Sequence, residues 1–174
     1  MSDENSSLAL VTGGNRGIGL AIAHALADAG HKVVVTYRSG SAPADFLAVQ
    51  MDVTSTESVE AAFVAIEEQW GIPEIIVANA GITKDGLVMR MSDADFEDVI
   101  NANLTGAFRV AKRATRGLLK LKRGRLIFIG SVGFIFLFMA FIYVKSYQKL
   151  YLYYALYLLG TIIYSFTHLS RITL

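Results

Sequence analysis

Short apolar runs alternate along residues 1–131 with longer segments in which apolar residues recur every three or four positions. The short runs are rich in β-branched residues and do not alternate with polar ones, which is typical of strands buried on both faces. Strands are predicted at residues 8–12, 32–37, within 46–53, at 75–78 and at 125–130. Helices are predicted at residues 17–29, at 54–70, in a short span from 92, and at 103–122. This alternation predicts an α/β fold with a doubly wound, Rossmann-like parallel sheet.

Polar residues and glycine mark where several of these helices begin or end. Gly30 follows the first helix and predicts its end, because glycine readily adopts the left-handed conformation found there. Thr54 and Glu57 have the spacing of a capping box, which predicts that they open the second helix. Ser92 and Asp95 predict the start of the short third helix in the same way.

The pattern changes after Ser131, where an aromatic and apolar tail begins. All 15 acidic residues precede this point, and seven of the eight tyrosines follow it. The overall net charge of +1 therefore averages two unlike pieces and indicates no partner. We predict two regions, a nucleotide-binding domain at 1–131 with an incomplete sheet and a mainly helical hydrophobic tail at 132–174.

The tail leaves two alternatives open. The apolar run at 132–144 is too short to cross a bilayer core of about 30 Å, and the run at 150–166 is marginal and rich in tyrosine. A hairpin or one weak membrane helix would give membrane association through 132–166. Alternatively, a frameshift, gene rearrangement or chimera joined an unrelated sequence to the domain, since the tail is composed of residues with AT-rich codons. The polar, acidic residues 1–7 do not resemble a signal peptide and favour a cytoplasmic location for the domain.

Composition excludes several kinds of site. The chain has no cysteine, so disulfides and thiolate metal sites are excluded. The three histidines are scattered without ligand spacing, and we predict no metal site. No aromatic residues interleave with the basic residues near the fourth helix, so nucleic-acid binding is not predicted.

A glycine-rich turn between the first strand and the first helix predicts a dinucleotide site. Gly13, Gly17 and Gly19 give the spacing GxxxGxG. Glycine allows positive φ angles and a close approach of the backbone to a pyrophosphate, and the following helix N-terminus offers free N–H groups. A plain strand-to-helix turn is the alternative, but the flanking strands and helix favour the dinucleotide site.

The residue after the second strand favours NADP(H) over NAD(H). An acidic residue at this position would bind the ribose hydroxyls of NAD. Here Arg38 follows Tyr37, and the next carboxylate is Asp45. Arg16 in the glycine loop is a second cation, and guanidinium groups bind phosphate oxygens in a forked geometry. The alternative for Arg38 is a solvated loop charge.

The motifs together resemble those of the short-chain dehydrogenase/reductase family. They are TGGNRGIG at 12–19, Asp52-Val53, Asn79-Ala80-Gly81, NANLTGAF at 101–108 and Ile129-Gly130-Ser131. Within the family the chain is most similar to the 3-oxoacyl-[acyl-carrier-protein] reductases of fatty acid synthesis, particularly the mycolic-acid branch. The resemblance implies NADPH-dependent reduction of a β-ketoacyl group on acyl carrier protein, by a homo-oligomer. Much of that oligomer contact would come from segments that this sequence lacks.

The resemblance also assigns roles to individual residues. Those assigned to cofactor binding are Gly13, Asn15, Arg16, Gly17, Ile18, Gly19, Arg38, Asp52, Val53, Asn79, Ala80 and Gly81. In this set the glycine loop holds the phosphates, Arg38 the 2′-phosphate, and Asp52 and Val53 the adenine. For catalysis, Asn103 would hold a proton-relay water and Ser131 would hydrogen-bond the substrate carbonyl. For Asn79 and Asn103, bracing of the backbone is a compatible alternative.

The family's proton donor is missing. A tyrosine thirteen residues after the serine donates the proton, and a lysine four residues later lowers the pKa of that tyrosine. Val144 and Gln148 occupy these two positions, and no Tyr-x-x-x-Lys sequence occurs in the chain. We therefore predict that the chain does not catalyse the reduction.

Basic residues concentrate along the fourth predicted helix and just after it. They are Arg109, Lys112, Arg113, Arg116, Lys120, Lys122, Arg123 and Arg125. Acyl carrier protein, the partner implied by resemblance, is acidic, so this run could dock it electrostatically. A solvated helix face is the alternative.

Overall fold

A computed structural model of the chain describes residues 6–84 and 88–130. Its strands are β1 (Leu8–Val11), β2 (Lys32–Tyr37), β3 (Leu47–Gln50), β4 (Ile75–Ala78) and β5 (Arg125–Phe128). Its α-helices are α1 (Gly17–Asp28), α2 (Thr56–Trp70), α3 (Asp93–Ile100) and α4 (Gly106–Leu121). A 3-10 turn spans Val88–Arg90, and a π-helical turn spans Asn101–Thr105.

The described strands form one parallel sheet in the order β3-β2-β1-β4-β5. Chain order reverses between β1 and β4, where β1 pairs with β2 on one side and with β4 on the other. This topology confirms the predicted doubly wound, Rossmann-like fold. In such sheets ligands bind outside the carboxyl ends of the strands at the point of reversal.

Both faces of the sheet are covered at its centre, as its apolar strands predict. The prediction of burial is wrong for β5 at the edge of the described sheet, where Ile127 and Phe128 are 41% and 47% exposed. Leu8 and Leu10 of β1 face a core cluster completed by α2 and α4, with Phe63 and Ile66 at its centre. The alternate residues Ala9 and Val11 face a second cluster that includes Ala23 of α1. Because the helices hold both faces, the strand ends at the point of reversal are fixed in position.

The start of α2 differs from the prediction. Ser55, not Thr54, is the N-cap, and its hydroxyl accepts a hydrogen bond from the Ser58 N–H at 3.1 Å. The Ser55 hydroxyl donates a hydrogen bond to Glu57 Oε2 at 2.9 Å. Thr54 is unavailable as the cap because its N–H and its hydroxyl both donate to Asp52 Oδ1, at 2.8 and 2.7 Å. The predictions at Ser92 and Gly30 are confirmed, since Ser92 caps α3 and Gly30 has a φ of 88°.

The predicted helix at 103–122 begins too late. Helix α3, the π-helical turn and α4 follow one another without a gap, so Asn103 lies inside a continuous helical segment. Asparagine favours caps over helix interiors, so its presence inside a helical segment is unusual. The π turn contains both Asn101 and Asn103 without breaking the helix, and such turns are frequent at functional sites.

The predictions for Ser131 and for the tail at 132–174 lie outside the described residues. The described residues up to Ile129 form one compact unit. Within the described ranges no helix is long and apolar enough to cross a membrane. The two-region division and the membrane alternative stay predictions.

Candidate functional site

The glycine loop lies between β1 and α1, at the point where the sheet order reverses. Gly13 has a φ of 64°, and a Cβ there would lie 3.0 Å from the Cα of Ala80. A Cβ on Gly19 would collide with the carbonyl oxygen of Gly13. A side chain at either position would therefore push the loop away from β4 or from its own helix. The glycines let the backbone fold closely over the strand ends.

The N-terminus of α1 is open towards the loop. Its N-cap, Arg16, makes no side-chain capping bond among the described residues, and Ile18 in the first turn is 67% exposed. The first N–H groups of a helix have no partner within the helix and carry its positive dipole end. This end is therefore suited to an anion.

A cavity of about 350 Å³ opens beside this loop, at the carboxyl ends of the strands. The predicted residues that line it are Gly13, Asn15, Arg16, Arg38, Asp52, Val53, Ala80 and Gly81. The predicted residues Gly17, Ile18, Gly19, Asn79 and Asn103 are outside its lining. Ser131 lies beyond the described residues. The volume is within the range of small-molecule sites, about 300–1,000 Å³.

Three lining residues after β2 were missed by the sequence interpretation: Ser39, Gly40 and Ser41. The Asn15 amide donates to the Ser39 carbonyl at 3.3 Å, and the Gln50 amide donates to the Arg38 carbonyl at 3.0 Å. These bonds hold the backbone beside Arg38 while its side chain stays exposed. Their position directly after Arg38 in a run of small residues could have indicated them.

Asp52 is the acidic residue of the cavity wall. Burial raises the pKa of its carboxyl, but two hydrogen bonds from Thr54 and the charges of Arg38 and Arg109 outweigh this, so the pKa lies below its ordinary value. Asp52 is therefore a carboxylate at neutral pH, suited to accept hydrogen bonds from a ligand.

Asn79 and Asn103 both brace the backbone, in agreement with the alternative given for them. The Asn79 amide donates to the Thr12 and Gly13 carbonyls at 3.0 and 3.3 Å. The Asn103 amide accepts from the Ile82 N–H at 2.8 Å and donates to the Ile82 carbonyl at 3.0 Å. They act on the cavity through the loops that they hold.

Several residues of the basic run form ion pairs within the protein. Arg113 is 8% exposed and pairs with Glu67 through two bonds of 2.8 Å. Arg116 pairs with Glu60, and Arg123 with Glu74. The prediction that the whole run forms a docking surface is therefore wrong at Arg113, because a buried cation cannot contact a partner protein.

The family model of the short chain dehydrogenases matches residues 7–146. The chain belongs to the short-chain dehydrogenase family. The matched range continues past Ser131 into the predicted tail and includes position 144, where this member of the family has valine.

Relatives of known name support this assignment. The chain is 58% identical over 124 residues to 3-oxoacyl-[acyl-carrier-protein] reductase MabA of Mycobacterium tuberculosis strain H37Rv, covering 71% of the chain and 50% of that protein. It is 43% identical over 133 residues to the 3-oxoacyl-[acyl-carrier-protein] reductase FabG of Escherichia coli strain K12, covering 72% and 54%. The chain thus spans about half the length of these curated relatives.

The fold is also similar to that of a solved structure. The crystal structure of gox2181 aligns with a TM-score of 0.66 at 34% identity, covering 73% of this chain and 54% of that one.

Proposed function

We propose that the chain is the NADP(H)-binding part of a 3-oxoacyl-[acyl-carrier-protein] reductase lineage, and that it binds the cofactor without reducing the substrate. The observation that carries the proposal is the glycine loop at the open end of α1, flanked by Arg16 and Arg38 on one cavity. Similarity to the reductases of M. tuberculosis and E. coli supports the substrate class.

The residues of the cavity fit a dinucleotide phosphate. Gly13 lets the loop backbone pack against Ala80 at the cavity wall. The first N–H groups of α1, at Gly17 and Ile18, follow Arg16 of the lining and would donate to a pyrophosphate there. Arg38, exposed on the rim, would form a forked pair with the 2′-phosphate. Arg16 adds a second positive charge on the same rim.

The adenine would lie against Val53, with Asp52 accepting a hydrogen bond from it. Val53 is 8% exposed and belongs to the core, so its side chain presents a packed apolar surface on this wall. Asn79 and Gly81 would lie along the ribose and diphosphate. Between them, the Ala80 N–H donates to the Thr12 hydroxyl at 2.9 Å, and Gly81 packs against the Asn103 amide. Preorganisation of this kind reduces the entropy lost on binding.

Catalysis would require more than cofactor binding. Bound NADPH would supply the hydride, Ser131 would hydrogen-bond the carbonyl, and an acid must protonate the developing alkoxide. Valine and glutamine at positions 144 and 148 cannot donate that proton. We therefore propose that this chain binds NADP(H) and does not turn over a 3-oxoacyl thioester.

Acyl carrier protein is the proposed partner of the lineage. Lys112, Lys120, Lys122 and Arg125 form no ion pair within the described residues, and their charge suits an acidic protein. Homo-oligomer formation and membrane anchoring through 132–166 stay predictions.

The test is a titration of the purified full chain with NADPH in detergent-free buffer, following nicotinamide fluorescence, with NADH as the matched ligand. We expect saturable binding of NADPH and much weaker binding of NADH. Absence of NADPH binding would contradict the proposed site. Oxidation of NADPH in the presence of a 3-oxoacyl thioester would contradict the proposed inactivity.

A further inference from the structure

Arg109, in the first turn of α4, points back towards the cavity wall although it does not line the cavity. Its Nη1 donates to the Val53 carbonyl at 3.3 Å and to Asn101 Oδ1 at 3.0 Å. Arg109 therefore joins the Asp52–Val53 segment to the first residue of the π-helical turn.

The start of α4 also contacts Val53 through Gly106. A Cβ on Gly106 would lie 2.8 Å from Val53 Cγ2, so the helix backbone is packed directly against this side chain. Val53 is thus held on its side chain by Gly106 and on its carbonyl by Arg109. The proposed adenine wall has the start of α4 as its support.

The same π-helical turn supports the other wall of the cavity. Asn103, in the middle of the turn, forms two hydrogen bonds with the backbone of Ile82, one to its N–H and one to its carbonyl. Ile82 and Ala102 line the cavity. A shift of the turn relative to Val53 would therefore change the distance between the two walls. Within the described residues, Arg109 is the side chain that hydrogen-bonds both the turn and Val53.

We propose that Arg109 is a positioning residue for the cofactor, which fixes the adenine wall at Val53 relative to the turn that carries Asn103. The inference rests on the proposed NADP(H) site and gives a role to a residue that neither touches the cavity nor belongs to the glycine loop. It also separates Arg109 from the rest of the basic run predicted to dock acyl carrier protein, because its guanidinium donates to Val53 and Asn101.

The charge of Arg109 acts on the same wall. It is one of two arginines that help to hold the pKa of Asp52 low, the other being Arg38 on the cavity rim. Arg109→Met would remove both the hydrogen bonds and this charge. Both bonds of Arg109 come from Nη1. Arg109→Lys keeps the charge, but its ammonium nitrogen is one bond closer to the backbone than Nη1 and lacks the planar guanidinium.

Binding measurements on the full chain test the role. We expect Arg109→Met to lower the affinity for NADPH by about fivefold, equivalent to the loss of about one hydrogen bond. The affinity for adenosine 2′,5′-bisphosphate, a probe of the adenine half, should fall by about the same factor. Arg109→Lys should recover part of the affinity. Arg116→Met is the matched control, since Arg116 lies on the same helix, is exposed and pairs only with Glu60 among the described residues. Unchanged affinity in Arg109→Met would overturn the inference.

A measurement without ligand separates this inference from the proposed function. Hydrogen–deuterium exchange of the peptides that contain Thr54 and Ile82 should be faster in Arg109→Met than in the wild type and unchanged in Arg116→Met. If the wild type does not bind NADPH, the proposed function fails, but the exchange still decides whether Arg109 fixes the two walls.

If Arg109→Met does not fold, Asn101→Ala removes one acceptor of Arg109 and should accelerate exchange at Ile82. Equal exchange in variant and wild type would contradict the role of Arg109.

Discussion

Thr12 and Asn79 hold each other across the point where the sheet order reverses. The Thr12 hydroxyl accepts from the Asn79 N–H at 3.0 Å, and the Asn79 amide donates to the Thr12 carbonyl at 3.0 Å. The same hydroxyl also accepts from the Ala80 N–H at 2.9 Å. Thr12 directly follows β1 and Asn79 directly follows β4, so this pair fixes the glycine loop relative to the far side of the cavity.

Replacing Thr12 with valine should therefore destabilise the fold. The change keeps the shape of the side chain but leaves two backbone N–H groups without their acceptor beside a residue that is 1% exposed. Each unsatisfied buried group costs about 1–3 kcal/mol, and we expect a loss of about 3 kcal/mol in the free energy of unfolding, measured by urea denaturation. Thr12→Ser keeps the hydroxyl and should lose no more than about 1 kcal/mol. Equal losses in both variants would show that the hydroxyl is not responsible.

Arg38 should decide between the two nicotinamide cofactors. Arg38→Met is expected to lower the affinity for NADPH roughly tenfold to a hundredfold, because a charge-assisted bond to the 2′-phosphate is lost. The affinity for NADH should be almost unchanged. Fluorescence titration of both cofactors measures the ratio. Arg116→Met, which changes the net charge equally but lies on α4, is the control. A similar loss for NADPH and NADH would mean that Arg38 does not contact the 2′-phosphate.

Much of the fold could be predicted from the chain because its signals are local. The strand at Lys32–Tyr37 has the bounds that its apolar β-branched run predicts, and the parallel order follows from the alternation of strands and helices. The start of α2 could not be chosen correctly, since Thr54 and Ser55 are both good caps. Only the contact of Thr54 with Asp52 decides between them.

The site was predictable where it depends on backbone chemistry and less so where it depends on packing. Gly13 and Arg38 line the cavity as their positions in the motif predict. Arg109 and Arg113 looked alike in the basic run, because helical spacing does not show which cation meets Glu67 or Val53 across the fold. That distinction arises only when α4 packs on α2 and on the segment after β3.

The stability of the chain should depend on pH through Asp52. Its pKa lies below the ordinary value of 3.8, so the carboxylate contributes stability that is present above pH 3.8 and is lost as the pH falls through its lowered pKa. Asp52→Asn keeps the acceptor oxygen for Thr54 but removes the charge. The difference in free energy of unfolding between wild type and Asp52→Asn should be constant from about pH 7 to 5 and should shrink below that. A difference that does not vary with pH would exclude this contribution.

The buried pair between Arg113 and Glu67 should be the strongest electrostatic contact between α2 and α4. Arg113 donates two bonds of 2.8 Å to Glu67, and its guanidinium lies 5.0 Å from the ring centre of Phe63. Removing one partner of a buried pair leaves a charge without compensation, so Arg113→Met should cost about 3 kcal/mol of unfolding free energy. The exposed pair formed by Arg116 should be worth less than about 1 kcal/mol.

A double-mutant cycle separates the pair from the loss of packing. Arg113→Met with Glu67→Leu should recover part of the stability lost in either single variant, because no unpaired charge remains in the double variant. Urea denaturation at low and at high salt measures the coupling, which should persist in salt because the Arg113 side chain is only 9% exposed. Additive losses in the cycle would mean that Arg113 stabilises α4 through its contacts with Phe63 and Glu60 and not through Glu67.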